Sequence, residues 1–274
     1  MGVVNDLRRP SASVCHPLRE DPELAEAIDP DRRSQAIETC VAREVRVPVG
    51  SWTGHRTLLV DDGIGLLVLE GLLIRRVGIN ARFGAELLGE GDLLRPCLGD
   101  APSTLPLTVD WLVLEPTRVA ILDERFTRQL TNYPELVGPL VGRAMQRSRS
   151  LAVNMAIVHQ ARVDIRLHML LRHLAGRWGR VRSDGIVVPL PLTHTVLSDL
   201  VAARRPTVTS ALSELARQGV VLPIREGWLL FGDPPGEVSE PPLMAPKPTT
   251  SKVAANSHVS RLVVNLRPES GPGG

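Results

Sequence analysis

The spacing of apolar and polar positions changes character three times along the chain. From Ala42 to Ile121 the apolar residues come in short runs broken by glycine. Val45–Val49, Thr57–Val60, Gly65–Glu70, Leu72–Val77, Glu86–Leu88, Leu105–Val109, Trp111–Leu114 and Thr117–Leu122 are the candidate strands. Short strands at regular spacing, with Asp-Gly, Glu-Gly and Gly-Asp breaks, predict an antiparallel sandwich or barrel rather than a parallel sheet. From Tyr133-Pro134-Glu135 onward the period becomes helical. Val137, Val141, Ala144, Ser148, Leu151, Met155 and Val158 follow a 4-3 spacing, the seam of a two-stranded coiled coil. Continuing that register brings Arg162 to the seam, so the coil should end near there. Val163, Leu167, Leu170, Leu171 and Leu174 then lie on one face of a further helix. Ahead of the strands, the polar, proline-interrupted residues 1–35 allow one short helix at Pro22–Ile28, and Arg32–Cys40 allows a second.

The third pattern, Leu192–Phe231, organises the chain. Thr193 is placed to cap a short helix whose Val196, Leu197, Leu200 and Val201 recur at helical spacing. Ala202-Ala203 makes a turn, and Pro206 falls in the first turn of a second helix, where a missing N–H is harmless. Val208, Ala211, Leu212 and Leu215 form that helix's buried stripe, and Gly219 suits its C-terminal stop. Val220-Val221-Leu222, the turn Arg225-Glu226-Gly227 and Trp228–Phe231 then predict a two-stranded wing. Two short helices with a small-residue turn place the second one in a major groove. Arg204, Arg205, Thr207, Thr209 and Ser210 fall outside its buried stripe, at its N-terminal end. With Thr193 they are the candidate DNA-contacting residues. An arginine there can fork onto guanine O6 and N7, and hydroxyls suit phosphates.

The run RRPTVTSALSELARQGVV resembles the recognition helix of the Crp/Fnr family of bacterial transcription regulators, whose usual form is S-R-P-T-V-S-R-A-L followed by L. The family's guanine-reading arginine falls on Arg205. Its N-cap serine is Arg204 here, and the arginine often found further on is Ser210. LLVLEGLLIRRV is similar to the strand–Gly–strand hairpin of the family's cyclic-nucleotide-binding β-roll, with Gly71 at its turn, and LLGEGDLLRP to the stretch leading into its phosphate-binding cassette. The resemblance implies an α+β chain with an N-terminal antiparallel, jelly-roll-like β-roll, a long dimerisation helix and a C-terminal winged helix-turn-helix. Its expected divisions are residues 1–35, 36–126, 127–174, 175–232 and a disordered Pro/Gly-rich tail at 233–274. It further implies a homodimer on a palindromic site in double-stranded DNA, with RNA polymerase as another candidate partner; a cytoplasmic location is expected from the lack of an apolar leader-like or membrane-length run. Nucleotide-binding relatives have Gly-Glu where Arg95-Pro96 stand here, and an arginine for the cyclic phosphate where Leu107-Thr108 stand. An apolar leucine cannot pair an anion, so cAMP binding is not expected. The alternative is a signalling module whose winged part contacts protein instead of DNA.

Composition narrows this picture. The net charge of +2 is too small to favour nucleic acid by itself, so a basic footprint must be local. With only 3% aromatic residues, a stacking surface for single strands is not expected. Cys15, Cys40 and Cys97 are widely spaced and form no C-x-x-C pair, which disfavours a disulfide framework, structural zinc or an iron–sulfur cluster. His159, His168 and His173 lack the i,i+4 spacing of a helical metal pair, and His16, His55, His194 and His258 stand alone. There is no P-loop, G-x-G-x-x-G or G-x-S-x-G motif, so no catalytic, cofactor or metal residues are expected. No apolar run reaches the length of a membrane helix. Gly176–Gly185, with Arg177, Arg180 and Arg182, reads as a basic connector, and Val259–Leu266 as a run apolar enough to join a sheet edge.

Overall fold

The computed structural model describes residues 13–53, 63–79, 82–95 and 106–232. The expected strand Thr57–Val60, Pro96, Cys97 and the tail with Val259–Leu266 lie outside the described residues. The N-terminal part begins with β1 (Ser13–Cys15) and three helices, α1 (Pro17–Glu20), α2 (Pro22–Glu26) and α3 (Pro30–Thr39). Six strands follow: β2 (Ala42–Val47), β3 (Gly50–Ser51), β4 (Gly65–Ile79), β5 (Arg82–Gly89), β6 (Leu93–Leu94) and β7 (Leu107–Leu122). They form one antiparallel sheet in the order β1-β2-β7-β4-β5, with β3 on β7 and β6 on β4. The α+β expectation with an N-terminal antiparallel sheet holds.

Two strand expectations need correction. Gly71 is not a hairpin turn; it lies inside β4, at a bulge where the register with β7 shifts between Glu70 and Leu72. Its φ is +96°, and a Cβ there would stand 2.5 Å from the Pro116 carbonyl oxygen, so only glycine fits. Trp111–Leu114, Thr117–Leu122 and the described part of Leu105–Val109 are likewise one strand, β7. Pro116 faces the same irregular stretch, where its missing N–H interrupts little of the ladder. The bulge also reverses the facing of β4. Before it, Leu66 and Val68 enter the core of Trp52, Trp111, Val119 and Ile121, while Leu67 and Leu69 lie under the N-terminal helices. After it, Leu73 enters the first core, and Leu72 and Ile74 turn to the C-terminal elements. An extra residue in a period-2 strand does this necessarily.

Arg118 on β7 ties the N-terminal helices to the sheet. It donates to both Glu20 oxygens at 3.0 Å and to Glu44 at 3.0 Å. The Glu44 side chain is 4% exposed. Hydrogen bonds from Arg118 hold both carboxyls below the usual carboxylate range. Carboxylates depressed in the folded state add stability above that range and lose it as pH falls through their lowered values. Arg118→Met leaves Glu44 without its main partner, at a cost of about 2 kcal/mol. Thermal melts should show a midpoint lower by roughly 5 °C at neutral pH, with a shallower loss of stability below about pH 4 than in the native chain.

After β7 comes α4 (Glu124–Gln129), capped by Asp123, then two 3-10 turns, Leu130–Asn132 and Pro134–Leu136. The long helix α5 spans Val137–Val158. Gly138, Pro139 and Gly142, which the seam pattern passes over, fall in its first two turns. Pro139 is among the first four residues, whose N–H groups lack helical partners in any case. Leu140 and Ile157 of α5 are buried. Its opposite face leaves Val137, Val141 and Met155 exposed at 48%, 51% and 63%, while Leu151 is only half-buried against its own chain.

The C-terminal part consists of α6 (Val163–Trp178), β8 (Arg180–Arg182), β9 (Gly185–Val188), α7 (His194–Leu200), α8 (Arg205–Arg217), β10 (Val221–Ile224) and β11 (Gly227–Leu230). The expected basic connector is therefore the end of a helix and a hairpin. The expected two-stranded wing is half of a four-stranded sheet, β10-β11-β9-β8. Leu167, Leu170, Leu171 and Leu174 of α6 share a core with Leu197, Leu212 and Trp228, and that core continues into Leu72, Ile74 and Leu87 of the first sheet. Arg76 reaches Asp199 on α7 at 3.1 Å, and Arg177 reaches Asp92 at 2.9 Å. The helix-turn-helix thus packs directly on β4 and β5.

Candidate nucleic-acid interface

Local chemistry builds the two crossing helices. Thr193 caps α7 by accepting the Val196 N–H at 3.3 Å. Val196, Leu197 and Leu200 face inward, with Val201 buried behind them. The turn that follows puts Ala202 at φ 51°, a left-handed conformation that costs a non-glycine residue roughly 1–2 kcal/mol. Arg204 then occupies the N-cap of α8 without a side-chain cap bond, and Pro206 sits in the first turn. Val208, Leu212 and Leu215 are the buried residues of α8. At its C-terminus Gly219 has φ +68°. The Gly219 N–H meets the Ala216 carbonyl at 3.0 Å, and the Val220 N–H meets that of Leu215 at 3.0 Å. That pair of bonds is a Schellman stop.

The candidate contact residues divide into two groups. Arg204, Arg205 and Thr207 are exposed at the start of α8, and no hydrogen bond or ion pair engages their side chains among the described residues. Thr193, Thr209 and Ser210 are already engaged. Thr193 serves as the cap, Thr209 donates to the Arg205 carbonyl at 3.1 Å, and Ser210 donates to the Pro206 carbonyl at 3.2 Å. Two guanidiniums and a hydroxyl free at one helix end can donate to acceptors on phosphates or on base edges.

Residue spacing gave no sign of the His194 contact or of Arg225 as a free cation, and it placed Arg180 in a basic connector rather than on a strand. His194 does not stand alone: its Nδ1 lies 2.9 Å from Thr209 Oγ1, fifteen residues away. Arg180 on β8 and Arg225 in the β10–β11 turn are exposed and unpaired among the described residues, whereas Arg182 is held by Glu226 at 2.7 Å. The proximity of His194 to Thr209 follows from the helix crossing, which residue spacing does not encode. Arg180 joins the same sheet as the β10–β11 hairpin only once β8 pairs with β9 and β9 with β11.

A cavity of about 460 Å³ lies between β5, α5 and α6, with Glu86, Asp92, Arg143, Arg147, His173 and Arg177 on its wall. Each of its arginines already faces a carboxylate. Arg147 meets Glu86 at 2.9 Å, Arg177 meets Asp92 at 2.9 Å, and Arg143 meets Asp21 at 2.9 Å. Burial pushes the Asp92 and Asp21 carboxyls above their ordinary range despite these partners. It also lowers His173. Elsewhere Arg95 turns to the Gly63 and Ile64 carbonyls, and Leu107 is exposed at the start of β7. Cys15 and Cys40 are free and buried, and burial pushes the Cys15 thiol up to about 11. Among the described residues no group of His, Cys, Asp and Glu is arranged to hold a metal ion, and no helix is long and apolar enough to cross a membrane.

Residues 165–235 match the Crp-like helix-turn-helix domain family. No curated protein sequence matches the chain. Among solved structures, a cyclic nucleotide-binding domain containing protein from Listeria monocytogenes is similar at 16% identity and a TM-score of 0.56, covering 76% of this chain and 96% of that one. A CooA variant from Carboxydothermus hydrogenoformans matches at 17% identity and a TM-score of 0.53, over 70% of this chain and 84% of its own. FixK2 from Bradyrhizobium japonicum matches at 16% identity and a TM-score of 0.51, over 70% and 93%. The chain therefore carries a Crp-like helix-turn-helix domain at residues 165–235 and shares its fold with these solved structures.

Proposed function

We propose that this protein is a sequence-specific DNA-binding transcription regulator, acting in the cytoplasm as a homodimer on a palindromic site. The observation that carries this reading is the pair Arg204 and Arg205, exposed at the start of α8 and without ion pairs among the described residues. Thr207 beside them has a free hydroxyl for phosphate. The exposed apolar face of α5, with Val137, Val141 and Met155, supports self-association through that helix. A two-fold dimer then predicts half-sites about one helical turn, roughly 34 Å, apart. The test is a footprint on DNA upstream of the protein's own coding region, with affinity measured across salt. A discrete palindromic footprint and a steep salt slope are expected. A winged part that contacts protein instead of DNA would leave neither.

The regulator does not answer to cAMP. Leu107 offers no cation to a cyclic phosphate, and the arginines of the cavity beside α5 are already paired. Titration calorimetry with cAMP and cGMP should show no heat of binding at micromolar ligand, and neither nucleotide should change DNA affinity. A saturable isotherm with either one would overturn this part of the reading.

A further inference from the structure

We infer that His194 is a positioning residue for the recognition helix, acting through Thr209 on the residue proposed to read the base, Arg205. The inference rests on the DNA-binding reading of the winged domain, and it follows from a count of protons. Thr209 Oγ1 lies 3.1 Å from the Arg205 carbonyl oxygen, which can only accept. The single hydroxyl proton is therefore committed to that carbonyl. His194 Nδ1 stands 2.9 Å from the same Oγ1, so at this contact the ring nitrogen must be the donor. The imidazole thus carries its proton on Nδ1, and Nε2 has no partner among the described residues. The result is a directed chain: His194 Nδ1–H to the Thr209 hydroxyl, and the Thr209 hydroxyl to the Arg205 carbonyl.

Both ends of this chain are held. His194 is the first residue of α7, immediately after the cap Thr193. Its ring packs beside Trp228, with centroids 6.3 Å apart and planes at 34°. At the other end, Arg205 is the first residue of α8, and its N-cap residue Arg204 makes no side-chain cap bond. A helix start without a side-chain cap is less well fixed. The latch supplies a restraint from the neighbouring helix at the peptide that carries the Arg205 side chain. A bidentate contact to guanine tolerates little error in that position, since fork geometry fails with small displacement. Thr209 consequently serves the recognition helix as a link rather than as a phosphate donor.

The experiment uses the full-length chain and two readouts. Nitrogen-15 chemical shifts of the imidazole in the free protein report the tautomer without DNA. Binding over single-base operator variants then compares His194→Asn, His194→Gln and His194→Ala. The Asn amide nitrogen takes the place of Nδ1, and the Gln amide that of Nε2. The Nδ1–H tautomer is expected, with His194→Asn keeping the discrimination of the native chain. His194→Gln and His194→Ala should lose about tenfold at the base pair read by Arg205, with melting temperatures unchanged. Thr209→Val should match His194→Ala, and Thr209→Ser should match the native chain. An Nε2–H tautomer, or equal losses in the Asn and Gln variants, would overturn the latch. Absence of sequence preference in the native protein would sink the DNA-reading proposal instead, while the tautomer still decides whether the latch exists.

Discussion

Arg205→Ala should abolish preference at one base pair in each half-site while leaving the rest of the operator read as before. Arg205 lies at the start of α8, outside the face that buries Val208, Leu212 and Leu215, and it has no ion pair to give up. A bidentate arginine–guanine contact is worth roughly 1–3 kcal/mol of discrimination, and a dimer makes it twice, so about 2–6 kcal/mol is at stake per operator. A phosphate contact behaves differently, weakening all sequences about equally and lowering the salt slope. Thr207→Ala should follow that second pattern, since its free hydroxyl suits phosphate. Binding measured over every single-base variant of the footprinted site separates the two. Uniform weakening by Arg205→Ala would make it a phosphate contact and pass base reading to Arg204.

Val141→Glu should convert the proposed homodimer to a monomer and with it remove high-affinity operator binding. Val141 is the better probe of the seam than Leu151, because Leu151 is half-buried against its own chain whereas Val141 is 51% exposed. Two glutamates facing each other across a dry seam cost about 3 kcal/mol or more, at least a hundredfold in the dimer constant. The exposed position spares the fold of the single chain, so the melting profile of the dilute protein should change little. Sedimentation at micromolar concentration is the measurement. A persistent dimer would mean that α5 is not the association surface. Met155→Glu, at the far end of the same face, should give the same result.

What local chemistry could specify was legible in the sequence. Thr193 as a cap, Pro206 in a first turn, the alanine turn and Gly219 as a helix stop all act within a few residues, and all four take those places. The same holds for the stripe of Val208, Leu212 and Leu215, whose spacing alone decides which face is buried. The sheet was less legible. Gly71 and Pro116 are turn-like residues, yet both lie within long strands, because each sits where one strand's irregularity answers the other's. A single strand carries no sign of that match; it exists only in the pairing of β4 with β7. The basic stretch at 176–185 likewise looks like a connector until β8 and β9 find β11 to pair with.

The candidate site divides along the same line. Sequence alone determined which side chains stand at the start of the recognition helix and that Arg205 lies outside its buried stripe, since both follow from helical period and chain order. The Thr209 and Ser210 hydroxyls close back on α8 carbonyls four residues earlier, a local option of any helical Ser or Thr. Only the tertiary structure decided that His194 reaches Thr209, because α7 and α8 cross. Hydrogen-bond partners fifteen or more residues apart are set by how elements pack. That packing is in turn set by a core shared between the helix-turn-helix and the sheet beneath it, through Leu72, Ile74 and Leu87.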